Sequence, residues 1–171
     1  MRLPMVRLPP VLILIIAALS AGCASGGRAR PAPFPTPGGH PATTPGSASG
    51  SAIAQLAVSF VGAPYRTGGS TPAGFDCSGL VEYVFARNGV AMPRTVAEQY
   101  RVGRSVRRGD LEAGDLVFFH TVSRGASHVG ISLGGDEFVH APSGSGEVRI
   151  EHLSARYWAS RFVGARRIAD C

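Results

Sequence analysis

Lysine is absent from the 171-residue chain, so all 17 basic residues are arginine, and against 11 carboxylates they leave a formal charge of +6. Charged residues make up only 16% and hydrophobic ones 44%, which excludes a disordered polyelectrolyte. Cysteine is scarce. Cys23, Cys77 and Cys171 are too few and too scattered for a disulfide framework, and each has to be judged alone. The chain also lacks an apolar run of the roughly 20 residues that a membrane-spanning helix needs. Internal repeats are missing, as are a basic helix and an aromatic-basic stripe, which argues against nucleic acid as a partner. What is plentiful is Gly (23) and Pro (13), with many of them crowded into the first third. A single domain therefore does not fill the chain, and one compact unit of about 100–150 residues is its natural capacity.

Residues 1–22 read as an export signal, with Arg2 and Arg7 at the positive end and an unbroken apolar run of nine residues, 11–19. The small residues Ser20-Ala21-Gly22 then stand before Cys23. The string Leu19-Ser20-Ala21-Gly22-Cys23 resembles a bacterial lipobox, with its Leu one place earlier than usual; the resemblance implies cleavage before Cys23 and lipidation of its sulfur. The alternative is an ordinary secreted protein with an incidental Cys. Ala24, where an Asp would favour inner-membrane retention, implies sorting to the periplasmic face of the outer membrane. Residues 24–50 hold 6 Pro, 6 Gly, 5 Ala, 3 Ser and 3 Thr among 27, a composition that cannot offset its own ordering entropy. Residues 23–50 are thus expected to be a lipidated Cys and its tether. The tether's coil dimension is ~30 Å, and a positively charged domain on it suits an anionic envelope.

The domain is expected over 51–171, with its folded part ending near Ile168. Ile53, Leu56, Ala57, Phe60 and Val61 recur at helical spacing, and Gly62 and Pro64 stop that helix. A Gly-rich loop follows over 67–75. Leu80, Val81, Val84 and Phe85 mark a second helix that starts near Asp76 and closes at Asn88-Gly89. Thr95 and Glu98 fit a capping box for a short third helix. Beyond Arg104 the pattern turns to strands, at 116–120, 128–133, 137–141, 148–152 and 162–168. Helices first and hairpin-linked strands later predict an α+β fold with a mostly antiparallel sheet.

Cys77 stands at the mouth of the second helix, where unpaired amides and the helix dipole favour the thiolate. Its neighbours Asp76, Ser78 and Gly79 are unlike a core seam, although a small buried Cys is the alternative. A thiol nucleophile needs a base, and the base an orienter. His40 lies in the tether, and His120 and His152 are expected on the surface. A hairpin folded about Gly134 would set His128 directly opposite His140, close enough for one imidazole to fix the tautomer of the other.

Five motifs in this order resemble the NlpC family of cell-wall cysteine peptidases, small papain-like domains that cut peptidoglycan stem peptides. They are Pro64-Tyr65-Arg66-Thr67-Gly68-Gly69, Asp76-Cys77-Ser78-Gly79-Leu80-Val81, Gly114-Asp115-Leu116-Val117-Phe118-Phe119, Ser127-His128-Val129-Gly130-Ile131 and Phe138-Val139-His140-Ala141. The resemblance covers about 51–168. It implies Cys77 as nucleophile, His128 as general base and His140 as third polar residue, with the Cys77 amide stabilising an oxyanion. It also implies Tyr65, Asp76 and Ser78 around the substrate and stem peptides as partners; no cofactor is expected, and the membrane contact is the lipid anchor that the lipobox resemblance implies.

Other readings stay open at this point. Asp76 could chiefly cap its helix, Tyr65 could pack beside the Gly loop, and Asp115 could be a turn residue or orient His120. Cys77, His128 and His140 could instead hold a zinc ion. The domain could bind wall without cutting it, or perform amidase or acyltransferase chemistry on the same fold.

Overall fold

The computed structural model describes residues 49–168. The expected leader, Cys23, nearly all of the tether and Cys171 lie outside those residues. The first helix, α1 (Gly50–Val58), buries Ile53, Ala54 and Ala57. It ends before Phe60 and Val61, although the apolar spacing continues through them. The backbone tightens there into i→i+3 turns, and Gly62, at φ +87°, hands its N–H to the carbonyl of Val148.

The second helix, α2 (Cys77–Arg87), starts where the capping signal places it: Asp76 accepts the Gly79 N–H at 2.7 Å. Between the two helices the expected loop contains a two-residue hairpin, β1 (Ser70–Thr71) with β2 (Gly74–Phe75). The short helix α3 (Val96–Gln99) is capped by Thr95, whose hydroxyl oxygen takes the Glu98 N–H while its proton goes to the Glu98 carboxylate at 2.6 Å.

Six strands follow: β3 (Arg104–Val106), β4 (Ala113–Phe119), β5 (His128–Gly134), β6 (Glu137–His140), β7 (Arg149–His152) and β8 (Phe162–Arg167). They form one sheet in the order β3-β8-β4-β5-β6-β7, with every neighbour antiparallel. The fold is therefore α+β with helices packed on an antiparallel sheet, as the order of patterns predicts.

Successive residues of β4 point to opposite faces. Leu116 and Phe118 join Ile53, Leu80, Val84, Phe85, Val129, Ile131 and Val139 on the side of α1 and α2. Val117 and Phe119 join Phe138, Leu153, Trp158 and Ala165 on the other side. That second core is closed by a single helical turn, α4 (Arg156–Ala159), which brings in Trp158. Each fully buried Leu, Val or Phe stabilises the fold by on the order of 2 kcal/mol.

The fourth strand begins at Ala113, three residues before the expected 116. The reason is Gly114: at φ +88° it carries a bulge that slips the β4–β5 register between Ala113 and Leu116. A Cβ at this position would lie 2.5 Å from the Gly50 Cα, so the bulge also lets α1 approach the sheet. Asp115, fully buried beside it, accepts Nε and Nη2 of Arg167 at 2.7 Å each and the Glu112 N–H at 2.9 Å. Asp115 is thus clasped to β8, while His120 and His152 are exposed.

Candidate active site

Cys77 is the first residue of α2, and two close backbone approaches hold the chain around it. A Cβ on Gly79 would meet the Gly69 carbonyl oxygen at 2.0 Å, and one on Gly69 would meet that of Gly74 at 2.3 Å. Glycine at both places lets the 66–76 loop lie against the helix start, where Asp76 N–H donates to Gly69 O at 2.9 Å. Asp76 does more than cap. Its Oδ2 accepts the Gly68 N–H at 2.9 Å and Arg94 Nη2 at 2.6 Å, and its Oδ1 accepts Arg94 Nη1 at 3.0 Å. Arg94 Nη1 also donates to the Ser78 hydroxyl at 2.8 Å. Asp76 and Ser78 are therefore bound within the chain, and Tyr65 is half-buried against the helix-side core. Gln99, fully buried, ties α3 to this corner by donating to the carbonyls of Ser78 and Pro93.

The histidines meet, by a route other than the one expected. In the β5–β6 hairpin Ile131 pairs with Val139 and Ser132 with Phe138. Gly134 stays in the ladder as a bulged partner of Glu137, and the turn falls on Gly135-Asp136 instead of pivoting at Gly134. By this register His140 faces Gly130, and His128 is its diagonal neighbour on the same face. The rings touch because Gly130 has no side chain: a Cβ there would lie 3.3 Å from that of His140. Across the gap His128 Nε2 and His140 Nδ1 form a buried hydrogen bond of 2.8 Å. Trp158 stacks on His128, with ring centres 5.5 Å apart, and sits edge-on to His140 at 4.8 Å.

Burial governs the electrostatics. It pushes the Cys77 thiol up from its ordinary value, and the Asp76 charge adds to that rise. The amides of Val129, Ser78 and Cys77 itself pull the other way without overcoming it. The expected lowering at the helix mouth is thus outweighed. Burial lowers His128 to about 4. Burial, the neighbouring His128 and Arg149 lower His140 to about 2. At neutral pH the site holds a thiol and two uncharged imidazoles. Asp76 is raised by burial, but Arg94 and the Gly79 and Gly68 amides bring its net value below the ordinary one.

Beside His128 opens a cleft of about 480 Å³ whose lining includes Pro142, Ser145, Arg149, Glu151, Tyr157 and Trp158. The zinc alternative does not fit this geometry. The facing nitrogens of the two imidazoles bond to each other, and among the described residues no three His, Cys, Asp or Glu side chains converge for a metal. Sequence reasoning missed Arg94, Gln99, Glu151 and Trp158. The one available signal was the alternation in Arg149-Ile150-Glu151-His152, which puts Arg149 and Glu151 on one face of β7.

Comparison with known proteins gives relatives of named function and a family. Over 113 residues the chain is 46% identical to the murein DD-endopeptidase MepH of Escherichia coli K12, covering 63% of this chain and 42% of that protein. It is 41% identical over 118 residues to a probable endopeptidase, an NlpC homolog of Haemophilus influenzae, covering 68% and 62%. The chain thus spans less than two thirds of the length of these curated relatives. A crystal structure of an NlpC/P60 family protein from Bacillus cereus superposes with a TM-score of 0.68 at 30% identity, covering 72% of this chain and 41% of that one. The NlpC/P60 family model matches residues 62–167. With that match over more than half of its length, the chain belongs to the NlpC/P60 family.

Proposed function

We propose that the protein is a lipid-anchored peptidoglycan endopeptidase of the cysteine peptidase class, acting through Cys77, His128 and His140. One observation carries this reading: two buried histidines on adjacent strands are hydrogen-bonded at 2.8 Å, and the first of them precedes Val129, whose amide meets the Cys77 thiol. In the reaction His128 takes the Cys77 proton as the sulfur attacks a peptide carbonyl carbon. The tetrahedral oxyanion is stabilised in part by the Cys77 N–H. Its collapse expels the amine, which takes the proton back from His128, and water then hydrolyses the thioester.

The substrate is a stem or cross-link peptide of the wall, the class that the names of the curated relatives support. Tyr65 and the Asp76–Ser78–Arg94 cluster form one wall beside the nucleophile, and the cleft next to His128 takes the rest of the peptide. Cys23 carries the lipid, at the periplasmic face of the outer membrane, and residues 24–50 give the domain its reach.

Muropeptides analysed by mass spectrometry before and after digestion test the activity and name the bond. The parent converts muropeptides containing D-Glu and a diamino acid and leaves casein intact. Cys77→Ala and His128→Ala abolish turnover, whereas His140→Asn or His140→Gln retains part of it. Wall digestion by Cys77→Ala equal to the parent's would sink the thiol mechanism. Labelled fatty acid incorporated by the parent and lost in Cys23→Ser tests the anchor.

A further inference from the structure

The histidine pair poses a question of protons. A neutral imidazole carries one N–H, and which nitrogen bears it is set by what the other nitrogen meets. His128 Nε2 and His140 Nδ1 share one hydrogen bond, so either nitrogen can be the donor. If His140 donates, His128 carries its own proton on Nδ1 and has no bare nitrogen left to act as a base. If His128 donates, its Nδ1 is bare and His140 carries its proton on Nε2. The second arrangement is the useful one, and it places an N–H where the strand pairing supplies nothing. His140 Nε2 is fully buried and has no hydrogen-bond partner.

What that nitrogen faces is a carboxylate. Glu151 lies opposite Phe138 in the β6–β7 register and so shares the face of His140. Its Oε1 is 4.0 Å from His140 Nε2. Its Oε2 accepts Trp158 Nε1, and Arg149 Nε stands 3.4 Å from Oε1. Trp158, Arg149 and the two strands therefore restrain the carboxylate beside the buried, unpartnered His140 Nε2. A negative charge beside Nε2 favours the proton there over Nδ1. The other charged group at this end, Arg149, sits directly across from His140. It disfavours any positive charge on the pair and leaves the neutral tautomer to Glu151.

We propose that Glu151 is a positioning residue: by holding the His140 proton on Nε2 it makes His140 Nδ1 an acceptor, fixes the His128 proton on Nε2, and leaves His128 Nδ1 bare as the base. The proposal rests on the Cys77–His128–His140 reading, but its first test does not require hydrolysis. Long-range nitrogen–proton NMR spectra of the histidine rings distinguish the two neutral tautomers in the free protein at pH 7. The parent shows Nε2–H on both His128 and His140. Glu151→Gln removes the charge at constant shape, and both rings then show mixed tautomers. With muropeptide as substrate, kcat of Glu151→Gln falls about tenfold with little change in KM, the scale on which partners that orient a histidine commonly act. Glu151→Asp, which keeps the charge one carbon further back, recovers part of that loss.

An Nδ1–H tautomer on His128 in the parent would overturn the proposal. So would tautomers unchanged in Glu151→Gln, or Gln and Asp variants equally impaired with only their melting temperatures lowered. A fully active Cys77→Ala, by contrast, would remove the mechanism and leave the tautomer result standing as a property of the pair.

Discussion

Gly130 stands between the two histidines, and its missing side chain is what lets their rings meet. A Cβ there would lie 2.6 Å from Phe138 Cδ2 and 3.0 Å from the Val139 carbonyl oxygen, with β5 and β6 in one ladder. Gly130→Ala is expected to cost about 1–3 kcal/mol by overpacking and to spread the His128–His140 bond. Urea melts and kcat on muropeptide measure both effects; a stable, fully active variant would show that the strands part without disturbing the rings. Asp76 is a second residue whose loss acts at two points. Asp76→Ala removes the α2 cap, a loss typically near ~1 kcal/mol, and leaves the half-buried Arg94 without its bidentate partner. The variant should melt earlier than the parent and lose activity, because the start of α2 is where Cys77 sits.

At the scale of elements, the β5–β6 hairpin shows what the sequence makes legible and what it hides. The motif Gly134-Gly135-Asp136 announces a turn, and the alternation about His128 and His140 puts both on one face. Which of the neighbouring residues turns is a different matter. Gly134 keeps its pairing as a bulge and the chain reverses at the next two residues, so every partner moves by two. Both glycines have positive φ, +91° and +65°, and composition cannot rank them. Gly135→Ala has open space around its Cβ, so it should cost only the backbone strain, about 1–2 kcal/mol, and leave the histidine geometry unchanged. Loss of the His128–His140 bond in that variant, followed by NMR, would mean that the turn governs the register.

Helices α2 and α3 are readable because their caps are local, Asp76 to Gly79 and Thr95 to Glu98, whereas the single turn of α4 has no side-chain cap and is not read from the sequence. By contrast, Arg94 reaches Asp76 across 18 residues, and Trp158 reaches His128 across 30. Such partners are chosen by the sheet order, which no local pattern records. The strand β3 was missed for a related reason. Arg-Ser-Val has no alternation to read, and it is a strand only because β8 pairs with it.

For the whole molecule, the buried histidines set how stability depends on pH. In the unfolded chain a histidine takes up its proton near 6.5, whereas folded His128 does so near 4 and His140 near 2. Between those values the unfolded state binds more protons, so acid favours unfolding. As far as the histidines decide it, stability should be level just above pH 7 and fall as pH drops through 6.5 towards 4, with His128 accounting for about 3 kcal/mol of the loss. Urea melts at successive pH values test this, and His128→Ala should have a shallower slope. A parent whose stability does not change between pH 7 and 4 would contradict the depressed values.

The place of β8 in the sheet has a consequence for the order in which the protein can come together. It is the last strand among the described residues, yet it lies between β3 and β4, and its Arg167 clasps Asp115. As the chain is synthesised, β4 to β7 and both histidines emerge before the strand that completes the sheet. Until residue 167 is available, one side of β4 has open backbone groups, β3 has no partner, and buried Asp115 has no counter-charge. The nascent chain therefore carries all its chemistry in an unfinished frame. Strand β8 acts as a latch, so that the sheet closes only once residue 167 has been made.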